Sequence, residues 1–310
     1  MRIGIIAAEN AEMMAIKDIM NDIREESVYN LVFTLGNIES KECVLVECGV
    51  GKVNAARTAQ IMIDKYSVDY VINVGSAGGV NKELNILDIV IGDKLVQYDF
   101  DISGAGNYEK GEICGTGKFF NSNERLVNLS KEIIENMDGR DFNIVVGSIG
   151  SADLFCTDPN IGAKTREDFG VECVEMEGAA IAQVCMLDNV PFLVIRGVSD
   201  SPNGNNDIDF HTYLGIVSKR VATILKELVN KIQQNKIDIE HLKYEAEKAE
   251  REGDYGKVAE IRYGKLQALE DEIKKIQEDL HHQQGDSAMI KEEVTAEDIA
   301  DVVSRWTGIP

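Results

Sequence analysis

The stretch VECVEMEGAAIAQVC, from Val171 to Cys185, contains the pattern that decides the fold. Its first residues form a short apolar run of strand length, and small apolar residues follow at helical density. We therefore predict a buried strand that turns directly into a buried helix. Two carboxylates, Glu175 and Glu177, lie at this junction, although a buried charge is unfavourable unless it is paired or hydrogen-bonded. They are expected either to be structural residues at the end of the strand or to bind a polar group.

The same alternation of strand and helix extends over residues 1–232. Apolar runs of strand length end in glycine and small polar residues, and helical patterns separate them. Strands that are apolar throughout indicate a sheet with helices on both faces, so we predict an α/β domain. In such sheets, ligands bind at the carboxyl ends of the strands. The other predicted strands are RIGIIAA (2–8), CVLVECG (43–49), YVINVGSAGG (70–79), DIVIGDKLV (88–96), FNIVVGSIGS (142–151) and PFLVIRGVSD (191–200), and the predicted helices include Asn54–Lys65, Asn123–Asn136 and roughly Phe210–Ile232.

The composition of the 310 residues excludes several classes of function. A net charge of −22 argues against nucleic acid or an anionic membrane surface as a partner, because phosphate binding needs clustered lysines and arginines. No run reaches the roughly 20 apolar residues of a membrane span, and the amino terminus lacks the pattern of a signal peptide. The six cysteines show neither CxxC pairs nor zinc-ligand spacing. We expect reduced thiols, no metal and a cytoplasmic location.

The composition changes after residue 232, where the glycine-rich pattern gives way to Glu, Lys and Ala. Apolar residues then repeat at spacings of three and four, which predicts an antiparallel coiled-coil arm over residues 233–284. The segment GDYG (253–256) is the expected break between its two helices. Residues 285–310 are predicted to form a linker and a short terminal helix. The residues of the apolar seam are Leu266, Leu269, Ile273, Ile276 and Leu280.

Three carboxylates of the main domain lie where predicted strands end or helices begin: Glu12, Glu177 and Asp200. Each has a structural explanation, because an acid near a helix N-terminus gains from the helix dipole and an aspartate suits a turn. Their common position at the carboxyl edge of the sheet also favours a functional explanation. From position alone, both interpretations stay open.

Two glycine loops, ECGVGKVNAA (47–56) and NVGSAGG (73–79), are predicted at the same edge of the sheet. Their glycines let the backbone approach a small ligand closely. Neither loop has the spacing of a nucleotide-triphosphate loop, since Gly51 and Lys52 are followed by valine. Ser76 places a hydroxyl group in the second loop, either for a ligand or to stabilise the turn.

Taken in order, six motifs resemble those of the 5′-methylthioadenosine/S-adenosylhomocysteine nucleosidases: RIGIIAA with Glu12, GVGKVNAA, NVGSAGG, SADLF, VEMEGAAIAQVC and VIRGVSDSP. These enzymes belong to the purine nucleoside phosphorylase-like superfamily, and the resemblance covers about residues 1–232. It implies a three-layer αβα sandwich with a central twisted mixed sheet. It also implies a homodimeric hydrolase that needs no cofactor and releases adenine from a 5′-substituted adenosine.

The resemblance implies two carboxyl groups in opposite protonation states, which is the logic of inverting glycoside hydrolysis. Asp200 is expected to donate a proton to N7 of adenine, and burial should raise its pKa so that it holds this proton. Glu12, ionised, is expected to orient and deprotonate the attacking water. Glu177 resembles the acceptor for the ribose hydroxyl groups, and Met176 is expected beside the sugar. Glu175 is expected to have only a structural role.

The resemblance assigns the remaining site residues as well. Phe155 is similar to the aromatic residue that stacks on adenine, and the backbone of Cys156 is expected at the adenine edge. Nothing supplies a base for Cys156 as a nucleophile. Ser199 and Arg196 are expected to position Asp200. The residues that resemble the apolar lining around the 5′-thio substituent are Val50, Ile102 and Phe210.

Some positions depart from the family pattern and leave the substrate open. Glu9 stands where methionine is common, Ala105 stands where an aromatic residue is common, and SADLF replaces SGDAF. The first two positions touch the 5′-group pocket in the family. The preference among methylthioadenosine, S-adenosylhomocysteine and 5′-deoxyadenosine is therefore not decided, and a futalosine-type nucleosidase is an alternative. A nucleoside phosphorylase is disfavoured, because Glu12 would repel phosphate.

The tail carries a second resemblance. AEREGDYGKVAEIRYGKL and EEVTAEDIADVVSRWTGIP are similar to the end of the middle coiled-coil domain and the following linker of ClpB-type AAA+ disaggregases. The chain contains no Walker A motif, so we expect no ATPase activity from it. The resemblance implies a fusion in which residues 235–310 form an interaction module for a helical partner. The alternatives are a solvated helix pair without a partner, and a chimera whose main role is this module.

Overall fold

The computed structural model describes residues 1–200 and 213–232. The predicted coiled-coil arm, the linker with its terminal helix, and Phe210 lie outside the described residues. The elements in chain order are β1 (Arg2–Ala7), α1 (Asn10–Lys17), β2 (Asn21–Val28), β3 (Leu31–Ile38), β4 (Lys41–Glu47), α2 (Lys52–Tyr66), β5 (Tyr70–Gly79), β6 (Ile89–Gln97), β7 (Phe120–Asn121), α3 (Glu124–Glu135), β8 (Ile144–Ser151), α4 (Pro159–Phe169), β9 (Val171–Glu175), α5 (Gly178–Leu187), β10 (Phe192–Asp200) and α6 (residues 213–232), with a 3-10 turn at Ser103–Ala105.

The strands form one twisted mixed sheet, which confirms the predicted α/β class. Strands β1, β5 and β10 run parallel side by side, with β4 parallel to β1 on the other side. Strand β5 pairs with both β10 and β9, and β10, β6, β8 and β9 pair in turn. Five strands therefore close into a ring, and β1, β4, β3 and β2 extend from it.

Apolar layers cover the sheet on both faces. On one face, helices α2 and α5 pack together through small residues, which include Ala55, Ala59 and Ala179. On the other face, α1, α3 and α6 contribute larger side chains such as Ile16 and Leu225. Full burial of an aliphatic side chain contributes about 1.5–3 kcal/mol, so these two layers supply the main driving force for folding.

The hairpin of β2 and β3 is the part of the sheet that the sequence pattern did not predict. Strand β2, NDIREESV, lies at the open edge of the sheet and is mostly exposed and charged, so it lacks the apolar run from which a strand is predicted. Charges on an edge strand prevent pairing with another chain. Tyr29 and Asn30 join the strands with positive φ angles of 48° and 67°, as in a type I′ turn.

The parallel order of β1, β5 and β10 brings their carboxyl ends to one edge of the sheet. Glu12 follows β1, Ser76 lies within β5, and Asp200 ends β10. Strand β9 joins the same edge, because Gly78 and Gly79 of β5 pair with Val174 and Cys173. In the described residues, no helix is long and apolar enough to cross a membrane.

Candidate active site

A cleft of about 260 Å³ opens at this edge of the sheet. It brings together all but two of the residues that the sequence predicted. Ile102 is half-buried and is not among the lining residues, and Phe210 lies outside the described residues. The predicted residues that line the cleft are Glu12, Val50, Ser76, Phe155, Cys156, Met176, Glu177, Arg196, Ser199 and Asp200, and they are joined by Ala8, Glu9, Ala77, Gly78, Leu154, Val174 and Glu175.

Glu12 is a buried carboxylate whose two oxygens both accept hydrogen bonds. It occupies the first turn of α1, where its Oε2 accepts the backbone N–H groups of Ala8 and Glu9 at 3.1 Å each. Its Oε1 accepts the N–H of Ser76 at 2.8 Å and the hydroxyl of Ser76 at 3.3 Å. Burial raises the pKa of Glu12, while the charge of Arg196 and these N–H groups lower it. The result is a fixed carboxylate with a raised pKa, which is suited to accept a proton.

Asp200 sits against β5 at the other end of the cleft. In the pairing of β10 with β5, Asp200 lies opposite Gly78. A Cβ atom at Gly78 would lie 2.9 Å from Asp200 Oδ2, so the glycine leaves room for the carboxyl group. Burial raises the pKa of Asp200, and the hydroxyl of Ser199, which donates to Oδ1 at 2.9 Å, lowers it. Desolvation is the larger effect, so this carboxyl group tends to hold its proton.

Arg196 is 1% exposed and lies among carboxylates. Its Nη2 donates to Asn73 Oδ1 at 2.6 Å, forms an ion pair with Glu175 and lies 3.8 Å from Glu177 Oε2. Gly75 makes this position possible, because a Cβ atom there would lie 2.1 Å from Arg196 Nη1. The guanidinium group neutralises part of the negative charge on the floor of the cleft.

This placement shows which side chains Arg196 contacts directly. Arg196 was expected to position Asp200, but its guanidinium contacts Glu175 and Asn73 instead. Of the two residues named for that role, only Ser199 bonds Asp200. A buried guanidinium is stabilised by ionised carboxylates, which accounts for its position beside Glu175.

Glu175 is the first of the two carboxylates at the junction of β9 and α5, and it is fully engaged in contacts within the protein. Its Oε2 accepts the backbone N–H groups of Glu177 at 3.0 Å and Gly178 at 2.7 Å. Its carboxylate also accepts the hydroxyl of Ser151 and pairs with Arg196. It therefore satisfies the amino-terminal N–H groups of α5 and holds the arginine in place, contacts that fit the structural role expected of it.

Glu177 faces the cleft and is 5% exposed. Its Oε1 accepts the backbone N–H of Gly51 at 2.9 Å, which ties the first glycine loop to α5. Burial, and next the charge of Glu175, raise the pKa of Glu177 to about 7, although Arg196 lowers it. Its other oxygen, Oε2, lies 3.8 Å from Arg196 Nη2.

The mouth of the cleft is apolar. Phe155 is 65% exposed and Val50 is 47% exposed, and Leu154 lies beside them. Burial, and next the nearby Asp158, raise the pKa of the Cys156 thiol, which disfavours the thiolate that a nucleophile would need. Exposed aromatic and aliphatic side chains around a polar floor suit a flat, partly apolar ligand.

Two features of the site were missed by the sequence analysis. Asn73 lies fully buried in β5, where its side chain joins the Ile6 carbonyl to Arg196. A buried amide in an otherwise apolar strand was the signal for it. Asp153 accepts the Lys52 N–H at 2.8 Å and so closes the first glycine loop, but no sequence spacing marks a contact across 101 residues.

The fold and the site together define a nucleoside-cleaving enzyme of the phosphorylase superfamily, whose family model matches residues 2–230. The 5′-methylthioadenosine/S-adenosylhomocysteine nucleosidase of Bacillus pumilus (strain SAFR-032) is 36% identical over 234 residues, which are 75% of this chain and 100% of that protein. The enzyme of the same name from Bacillus subtilis (strain 168) is 34% identical, over 75% of this chain and 98% of its own.

Solved structures agree with the sequence relatives. The 5′-methylthioadenosine/S-adenosylhomocysteine nucleosidase of Campylobacter jejuni superposes with a TM-score of 0.71 at 30% identity, over 74% of this chain and 99% of that one. The futalosine hydrolase of Helicobacter pylori reaches 0.69 at 30% identity, over 74% and 97%. The chain belongs to the 5′-methylthioadenosine/S-adenosylhomocysteine nucleosidase family. It is an N-glycosyl hydrolase, as the sequence motifs predicted.

Proposed function

We propose that the chain hydrolyses the N-glycosidic bond of 5′-methylthioadenosine and S-adenosylhomocysteine, with Asp200 as general acid and Glu12 as general base. The products are adenine and the 5′-substituted ribose. The observation that carries this proposal is the placement of the two carboxyl groups along one strand. A Cβ atom on Gly75 would lie 3.0 Å from Glu12 Oε1, and one on Gly78 would lie 2.9 Å from Asp200 Oδ2.

Both carboxyl groups line the same cleft, with Glu12 against Gly75 and Asp200 against Gly78 of β5. Inverting glycoside hydrolysis needs one carboxyl group at the leaving base and another at the attacking water, with room for the sugar and the water between them. Two carboxyl groups at separate positions in one cleft meet that need. Adenine is therefore placed at the Asp200 end and the ribose next to Glu12.

The reaction needs a proton at the base and a nucleophile at the sugar. Asp200 gives its proton to N7 of adenine, so the electrons of the C1′–N9 bond depart with a neutral base. Glu12 accepts a proton from water as the water oxygen bonds to C1′. The raised pKa of both groups fits these roles, since an efficient acid or base titrates near the working pH.

The other lining residues bind the substrate in this proposal. Glu177 accepts hydrogen bonds from the ribose hydroxyl groups, and its charge favours the positive sugar of the transition state. Met176 packs beside the ribose, and Phe155 stacks on adenine. The backbone of Cys156 meets the adenine edge, and Ser76 holds Glu12 through its N–H and hydroxyl groups.

The charges of the cleft favour water over phosphate as the nucleophile. Arg196 is the only cationic side chain among the lining residues within the described ranges, and carboxylates already surround it. Phosphate would meet Glu12 without a counter-charge, and an unpaired charge of like sign is repelled. A futalosine-type nucleosidase is the second candidate, supported by the likeness to the Helicobacter pylori enzyme.

An assay that separates and quantifies the released purine base, adenine from the adenosines and hypoxanthine from futalosine, tests the proposal. Purified chain is incubated with methylthioadenosine, S-adenosylhomocysteine, 5′-deoxyadenosine and futalosine, with and without inorganic phosphate. We expect adenine from the first two without phosphate, and no ribose 1-phosphate when phosphate is present. Release that requires phosphate would make the chain a phosphorylase, and faster turnover of futalosine would favour the second candidate.

We also propose that the nucleosidase part forms a homodimer through the apolar mouth of the cleft. Val50, Val53 and Phe155 are exposed there, and Lys52 and Asp153 bring their segments together. Exposed apolar side chains that cluster around a site mark an interaction surface. Sedimentation equilibrium should give twice the chain mass, and Val53→Asp should shift it towards the single-chain mass.

For residues 233–310 we propose an appended coiled-coil interaction module without ATPase activity, located with the enzyme in the cytoplasm. The seam from Leu266 to Leu280 supports it, as does the full coverage of the relatives by the preceding residues. Circular dichroism of the full chain and of a chain ending at Ile232 should differ by a helical spectrum. A difference spectrum of random coil would contradict the module.

A further inference from the structure

The positions of Glu12 and Asp200 define the direction in which a substrate lies in the cleft. Glu12 marks one end at Gly75, and Asp200 marks the other at Gly78. If the base occupies the Asp200 end, as the proposed function requires, the 5′ carbon and its substituent point away from Asp200. They then extend past Glu12 towards the start of α1.

Glu9 is the lining residue at that start. It is the N-cap of α1 and forms a capping box with Glu12: the Glu9 side chain faces the Glu12 N–H, and the Glu9 N–H donates to Glu12 Oε2 at 3.1 Å. Glu9 is half-buried. Among the described residues it takes part in no ion pair. The start of α1 accommodates this negative charge, but no cationic side chain of the described residues pairs with it, and a neutral alkylthio group would leave it without a cationic partner.

We propose that Glu9 is a specificity-determining residue that favours 5′-thioadenosines whose substituent carries an ammonium group. This inference rests on the proposed function and names the substrate class more closely. An ammonium group within reach of Glu9 would gain a charge-assisted hydrogen bond. A substituent whose only charge is a carboxylate would be repelled, whereas the tail of S-adenosylhomocysteine carries an ammonium group beside its carboxylate.

The lining offers no compensating cation for such a carboxylate. Arg196 is the only lining cation in the described ranges, and it is 1% exposed and held by Glu175 and Asn73. A substituent beside Glu9 at the start of α1 therefore meets no free cation of the lining within the described ranges. Positive tails should therefore be favoured over neutral tails, and neutral tails over negative ones.

Three adenosines with tails of similar length test this order: 5′-(3-aminopropyl)thio, 5′-butylthio and 5′-(2-carboxyethyl)thio. The values of kcat/KM for adenine release are compared within each variant, so that general losses of activity cancel. In the unmodified chain, we expect the aminopropyl compound to exceed the butyl compound by about fivefold, the upper end for a solvent-accessible ion pair. Added salt should reduce this ratio, because it screens the charge of Glu9.

Glu9→Gln should bring the ratio of aminopropyl to butyl close to one and improve the carboxyethyl compound. Glu9→Met should instead favour the butyl compound. Glu83→Gln is the matched control, because it removes an equal charge from an exposed position away from the cleft and should leave the order unchanged. An unchanged order in Glu9→Gln, or a preference for butyl in the unmodified chain, would overturn the inference. Failure of the proposed function would show differently, as no adenine release from any of the three.

Discussion

A buried carboxyl group lies at each end of the cleft, and the two groups differ in the number of hydrogen-bond donors around them. At the Glu12 end, three backbone N–H groups and a hydroxyl surround the carboxylate, and Arg196 lies nearby. At the Asp200 end, one hydroxyl from Ser199 contacts the carboxyl group among the described residues. Many donors favour an ionised carboxylate, whereas burial with few donors favours the protonated acid.

This difference teaches that the assignment of base and acid depends on the surroundings and not on the residue type. Both groups have a raised pKa because both are desolvated. What separates them is the number of donors that point at each one. The loop after β1 and the strand β5 supply those donors to Glu12. Asp200, at the end of β10, has the Ser199 hydroxyl as its donor among the described residues. The following predictions challenge this contrast.

The largest effect is expected from removing either carboxyl group. Glu12→Gln and Asp200→Asn should each lower kcat for methylthioadenosine by about 10²- to 10⁴-fold, the usual contribution of a general acid or base. A 4-nitrophenyl 5-methylthioriboside should separate them, because 4-nitrophenolate departs without protonation. Asp200→Asn should hydrolyse this compound at nearly the unmodified rate, and Glu12→Gln should not. Equal losses on both substrates would remove the contrast between the ends.

The next effect concerns stability at the Glu12 end, where the ion pair between Arg196 and Glu175 is buried. Glu175→Ala removes the direct ion-pair partner of the buried Arg196 and the acceptor of two N–H groups of α5, so the free energy of unfolding should fall by about 3–5 kcal/mol. Glu135→Ala breaks an exposed pair with Lys131 and should cost less than about 1 kcal/mol. Urea unfolding measures both. If the two losses were equal, the charge cluster would not support the site.

A smaller effect is expected in the pH profile of kcat/KM. Ser199→Ala removes a donor that favours ionised Asp200, so the pKa of Asp200 rises. Since the proposed general acid acts in its protonated form, the alkaline limb should move to higher pH. Ser76→Ala removes a hydroxyl that favours ionised Glu12, so the pKa of Glu12 rises and the acid limb should also move to higher pH. A shift of the wrong limb in either variant would reverse the assignment of base and acid.

The smallest effect is expected from the tail. The neighbours of Glu12 and Asp200 among the described residues lie before the tail, and the family model matches residues 2–230. A chain that ends at Ile232 should therefore release adenine within about twofold of the full chain, measured at equal concentrations of folded protein. A loss beyond tenfold with an unchanged melting temperature would show that the tail contributes to the cleft.

Much of the fold was predictable because a buried strand appears in the sequence as a run of apolar residues. Strand β5 was predicted with the bounds that the structure has, and helices α2 and α3 differ by only one or two residues. Strand β2 was missed because an exposed edge strand needs charge and has no reason to be apolar. The closure of the sheet into a ring was also not predictable, because pairing of β5 with β9 joins residues far apart in sequence.

By itself, the sequence determined the α/β class, the family and the cluster of polar residues at the carboxyl ends of the strands, because these depend on local patterns and short motifs. Only the tertiary structure decided which charges meet. It directed Arg196 to Glu175 and away from Asp200, and it gave Glu12 more donors than Asp200. The physical reason is that burial and partner geometry govern the energy of a charge, and both arise from contacts between distant segments.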